Sequence, residues 1–83
     1  MKYQFYEVVK VVSNTPDTVE IDDMLGVVVG LSNDGNEDEV FSILITTTEE
    51  VWSVSSNELE ATGKVFTKQQ YENRDYLKLT LKN

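Results

Sequence analysis

Gly26-Val27-Val28-Val29-Gly30-Leu31 is short, apolar and bracketed by glycine. Side chains branched at Cβ fit a pleated surface, so the run is read as a β-strand. Glycine within a strand marks a bulge or a sharp bend, as in a small barrel whose sheet must curl. On the upstream side lies an acidic loop over 17–25 holding Asp17, Glu20, Asp22 and Asp23, with a weak local turn expected inside it. Before that, Ser13-Asn14-Thr15-Pro16-Asp17 has the composition of a turn. Phe5-Tyr6-Glu7-Val8-Val9-Lys10-Val11-Val12 reads as the opening strand.

Downstream, Ser32-Asn33-Asp34-Gly35-Asn36 is a turn signal, with Asp34-Gly35 supplying positive φ. Val40-Phe41-Ser42-Ile43-Leu44-Ile45-Thr46 follows as a third strand. It is expected to have Phe41, Ile43 and Ile45 on one face and a half-exposed face of Val40, Ser42, Leu44 and Thr46. Glu50-Val51-Trp52-Ser53-Val54 is the fourth. Ser55-Ser56-Asn57-Glu58 has the S-x-x-E spacing of a capping box, with room for one 3₁₀ turn before a short strand at Leu59-Glu60-Ala61-Thr62-Gly63. A second box, Thr67-Lys68-Gln69-Gln70, predicts a short helix to about Asn73. Tyr76-Leu77-Lys78-Leu79-Thr80-Leu81-Lys82 alternates and reads as a closing strand. The expected fold over 1–83 is therefore one mainly β binding domain. It is read as a small SH3-like curled barrel of five to six short strands with one or two short helical turns. Another small β-barrel or an open meander fits the same signals.

The 83 residues suffice for one domain with a small core, and the 40% hydrophobic fraction is that of a folded chain. Cysteine and histidine are absent, which excludes disulfides and thiolate zinc sites. The same absence removes the commonest general base and the strongest nucleophile, so the chain is read as a non-enzyme without a cofactor. Glu49-Glu50 and Glu58/Glu60 are the acidic pairs that a hydrolase would use, and solvated strand ends are the plainer explanation. The Asn33–Glu39 stretch is rich in oxygen ligands but lacks EF-hand spacing, so no metal site is expected. Met1-Lys2-Tyr3-Gln4-Phe5-Tyr6-Glu7 does not read as a signal peptide, and no apolar run approaches the roughly 20 residues of a membrane span. A soluble cytoplasmic protein is the expectation.

Net charge is −8 and unevenly spread. Residues 1–60 hold 13 acids against two bases, a balance of −11; residues 61–83 hold two acids against five bases, a balance of +3. Such a field repels phosphate backbones, which argues against nucleic acid, and attracts basic surfaces. The expected partner-binding residues are Asp17, Glu20, Asp22 and Asp23 in one loop and Asp34, Glu37, Asp38 and Glu39 in the other. The two loops flank the glycine-bracketed strand at the same or at opposite ends. Solubility is the plain alternative for this surface. Trp52 and Phe5 are expected in the core, while Tyr6, pointing opposite Phe5, is the expected aromatic anchor.

Phe5-Tyr6-Glu7-Val8-Val9-Lys10-Val11, Gly26-Val27-Val28-Val29-Gly30-Leu31, Val51-Trp52-Ser53-Val54 and Glu58-Leu59-Glu60-Ala61-Thr62-Gly63-Lys64 occur in that order. Together they resemble the immunity protein 31 family of bacterial polymorphic toxin systems. Tyr71-Glu72-Asn73-Arg74-Asp75-Tyr76 departs from that pattern, where a glycine-containing turn is expected. The resemblance implies a small cytoplasmic protein that binds and neutralises a cognate toxin in the producing cell. From the acidity, a toxin with a basic surface is expected, reached through the acidic loops, with the oligomeric state left open. The rival is an SH3-like adaptor that reads a basic or Pro-rich peptide. A third reading is an oligomerising domain that pairs through the 76–82 edge.

Overall fold

The computed structural model describes residues 2–32 and 39–80. Five antiparallel strands form one sheet: β1 (Glu7–Val11), β2 (Leu25–Ser32), β3 (Val40–Ile45), β4 (Val51–Ser55) and β5 (Leu59–Val65), in the order β4-β3-β2-β1-β5. Two 3₁₀ helices, Pro16–Ile21 and Ser56–Glu58, lie in the β1–β2 and β4–β5 connections, and α1 (Lys68–Glu72) and α2 (Leu77–Thr80) follow β5.

The sheet is open, and chain length forces it to curve. β4 and β5 are its two edges, so in a flat sheet they would lie about 19 Å apart at roughly 4.8 Å per strand. They also start from opposite ends: Ser55 pairs with Val40, opposite Ser32, whereas Leu59 pairs with Val11, next to the Lys10–Leu25 pair. Only the three residues Ser56–Glu58 join them, and a 3₁₀ turn rises about 2 Å per residue. Register shifts at Val28/Gly30 in β2 and Glu7/Val9 in β1 supply local bends.

Curvature gives the sheet an inner face filled by Val9, Val11, Val28, Phe41, Ile43, Ile45, Val54 and Leu59, closed by Tyr3 and Ile21. Gly26 is required there, because a Cβ would run into the Ile43 Cγ2 methyl. Trp52 is partly buried and packs against this cluster.

The outer face departs from expectation. Residues 76–82 read as a closing strand, yet 77–80 form α2, which with Tyr71, Phe66 and Tyr76 covers Val8, Val27 and Leu44. Leu44, expected half exposed, is consequently buried. Both faces of the central strands are thus apolar, which is why Val8-Val9 and Val27-Val28 are buried as consecutive pairs. The Thr67 box forms as expected, with Gln70 N–H donating to Thr67 Oγ1 (3.0 Å) and Thr67 N–H to Gln70 Oε1 (2.9 Å). Phe5, expected in the core, is 50% exposed. Strand alternation does not reach it: Glu7 N–H closes a turn onto Gln4 C=O and Tyr6 has φ 68°, so β1 begins only at Glu7.

Candidate functional site

The Ser56–Glu58 turn gathers the acid-bearing segments. Its spacing predicts a capping box, but Ser55 makes no side-chain cap. Glu58 turns instead toward the β1–β2 connection. Its Oε2 accepts from Thr18 Oγ1 (2.6 Å), Asn14 N–H (3.0 Å) and Thr15 Oγ1 (3.1 Å). Val12 N–H donates to its carbonyl (2.8 Å). The side chain is buried, and no cation lies within ion-pair distance among the described residues. Burial pushes the carboxyl up, and the hydrogen bonds from Thr18, Asn14 and Thr15 together outweigh it, leaving Glu58 below the ordinary carboxylate range.

Two residues earlier, Ser56 N–H donates to Glu39 C=O (2.8 Å), and Lys2 N–H to Glu39 Oε1 (2.7 Å). The β1–β2 connection and Glu39 flank opposite ends of β2, yet both contact one three-residue turn because the sheet curls.

Of the expected partner-binding residues, Asp17, Glu20, Asp22 and Asp23 are all exposed in one segment. Asp22 Oδ1 accepts from Ser13 N–H (2.8 Å), and Asp23, at φ 70°, pairs with Lys10 Nζ (2.9 Å). That contact holds the Lys10 ammonium above its usual range. Asp17 and Glu20 are exposed and carry no side-chain hydrogen bond or ion pair among the described residues. Asp34, Glu37 and Asp38 lie outside the described residues.

Tyr6 belongs to the other side of the sheet. It is half-buried, stacks on Tyr71 (5.1 Å) and meets Phe5 edge-on (6.3 Å), and Tyr71 in turn stacks on Tyr76 (5.5 Å). The Tyr76 hydroxyl donates to Glu49 Oε1 (3.1 Å), which also faces Arg74 Nε at 3.7 Å. The exposed aromatic of this group is Phe5.

Sequence reasoning missed two features. The S-x-x-E spacing predicts a cap for Glu58, and nothing local points to its contacts with Thr15 and Thr18. The second is a hollow of about 330 Å³ at the end of β5, lined by Lys64, Phe66, Gln70, Asp75, Lys78 and Leu79. Its lining is assembled from three elements, so no local pattern announces it.

Among the described residues no three acidic side chains come together as metal ligands, and no helix is long and apolar enough to cross a membrane. No known family model, curated protein or solved structure matches the chain.

Proposed function

We propose that this chain is an immunity-type inhibitor that binds a basic surface of a cognate bacterial toxin stoichiometrically through its acidic end. The observation that carries the reading is the docking of the acidic β1–β2 connection, together with Glu39, on the Ser56–Glu58 turn. There Asp17 and Glu20 stand unpaired on a segment pinned by Glu58. Fixed carboxylates raise the encounter rate with a basic partner without the ordering cost of a loose loop. The motif order, which resembles that of the immunity protein 31 family, supports a toxin as the partner, and a nuclease groove is the basic surface that suits such a field. The action takes place in the cytoplasm of the producing cell and uses neither nucleic acid nor membrane.

The strand order β4-β3-β2-β1-β5, with a 3₁₀ turn joining the edges, supports reading the sheet as an SH3-like curled barrel. That order also favours the adaptor for a basic or Pro-rich peptide. Such a module needs aromatics lining a groove between its loops. Here Tyr3 is in the core and Tyr6, Tyr71 and Tyr76 stack on the outer face, which favours the inhibitor.

The test is co-purification with the toxin domain encoded beside it, at rising salt. A one-to-one complex that weakens as salt screens the charges is expected. No complex at low salt would end the inhibitor reading, and a salt-insensitive complex would end its electrostatic basis.

A further inference from the structure

We propose that the hollow between β5 and the C-terminal helices binds a small organic carboxylate with a flat apolar body. At about 330 Å³ it lies at the lower end of ligand-sized cavities. Its lining combines the apolar Phe66, which is buried, and Leu79 with two lysines, Lys64 and Lys78.

The charge arrangement points to an anion. The chain has 15 acids and seven bases, so carboxylates are abundant, yet Lys64 makes no ion pair among the described residues. Its Nζ lies 5.1 Å from the centre of the Phe66 ring, a cation–π contact that holds the ammonium at the hollow. Lys78 Nζ is 4.0 Å from Asp75 Oδ1, the outer limit of an ion pair. Lys64 is thus without an ion-pair partner among the described residues, and Lys78 has one only at that limit.

A carboxylate placed between the two ammonium groups exchanges water for charge-assisted hydrogen bonds. A planar body behind it covers the apolar surface of Phe66 and Leu79. Gln70 adds an amide at the edge. Asp75 opposes any anion, which fixes the sign of one test. This surface is separate from the acidic face, so the proposal does not rest on the inhibitor reading.

The experiment titrates the isotope-labelled full chain with 1-naphthoate, its neutral amide 1-naphthamide and acetate, following backbone amide shifts. Saturable shifts confined to 64–79 are expected for naphthoate, with a Kd on the order of 1 mM for a ligand of this size. The amide and acetate should bind at least about tenfold more weakly, since each lacks one of the two contributions. Lys64→Gln should weaken naphthoate about three- to tenfold, and Asp75→Asn should tighten it by a similar factor. Shifts scattered over the surface, equal binding of the amide, or an Asp75→Asn variant that binds no better would each overturn the proposal. The three-probe comparison on the unaltered chain decides the case even where a variant fails to fold.

Discussion

Glu58 Oε2 lies 2.6 Å from Thr18 Oγ1, joining residues 40 positions apart in a buried, charge-assisted contact. The contact ties the turn between the sheet's edges to the acidic segment, so the shape of this acidic end depends on one carboxylate.

Replacing that carboxylate by its amide should therefore loosen the whole corner. Glu58→Gln is expected to cost about 1–3 kcal/mol in urea unfolding, since buried hydrogen bonds to a charged acceptor are lost. Amide exchange should accelerate first at Asn14 and Thr18. The Glu58 carboxyl is held below its unfolded value of about 4.3, so its stabilisation is present above that pH and lost as pH falls through the folded value. The gap between wild type and Glu58→Gln should close accordingly in acid; a gap constant down to acid unfolding would contradict this account.

The inner face offers a steric test at Gly26. Gly26→Ala drives a methyl into Ile43 Cγ2 and is expected to cost about 1–3 kcal/mol or more. Ile43→Ala alone opens a cavity costing about 2–5 kcal/mol. Because the two changes share one space, the double variant should lose less than the sum. Strict additivity would show that the two residues do not meet.

Three tyrosines give the fold an alkaline limit. Burial pushes the phenols of Tyr3, Tyr71 and Tyr76 up, with added repulsion from Glu7 and Glu60 at Tyr3 and from Tyr6 at Tyr71. Tyr76 is raised further by its hydrogen bond to Glu49. Raised folded values mean stability that is intact below about pH 10 and is lost as pH rises through them. Tyrosinate absorbance should grow together with loss of structure; full ionisation of a still-folded chain would refute the burial of these rings.

Asp17 and Glu20 are exposed and have no partner among the described residues, so reversing them separates binding from folding. Asp17→Lys with Glu20→Lys should leave the melting temperature unchanged and slow association with the proposed toxin partner about tenfold at low salt. An unchanged association rate would move the interface away from this segment.

Where both partners of an interaction are local, the sequence was readable. The β-branched runs became β1 to β4, the Gly30 signal coincides with a register shift, and Thr67 and Gln70 meet as their spacing says. Ser55 and Glu58 have equivalent spacing, but the carboxylate found better donors in Thr15 and Thr18, which no local rule anticipates. Leu77, Leu79 and their neighbours are too short a run for periodicity to separate strand from helix, and the choice fell to tertiary contact with Val8, Val27 and Leu44. The same contact explains Leu44 and draws Tyr6 into the helical side. Of the expected site, the exposure of Asp17, Glu20, Asp22 and Asp23 was legible; their link to Glu39 through Ser56 was not, because it depends on the curl.

β1 sits between β2 and β5, and its pairing with β5 joins residues some fifty positions apart. As the polypeptide emerges during synthesis, one flank of β1 stays without its neighbour until residues 59–65 have appeared. Until then that row of amides and carbonyls is open to any passing strand. Assembly is thereby tied to the late arrival of a single segment, and substitutions that delay β5 would lower yield through aggregation even where the finished molecule tolerates them.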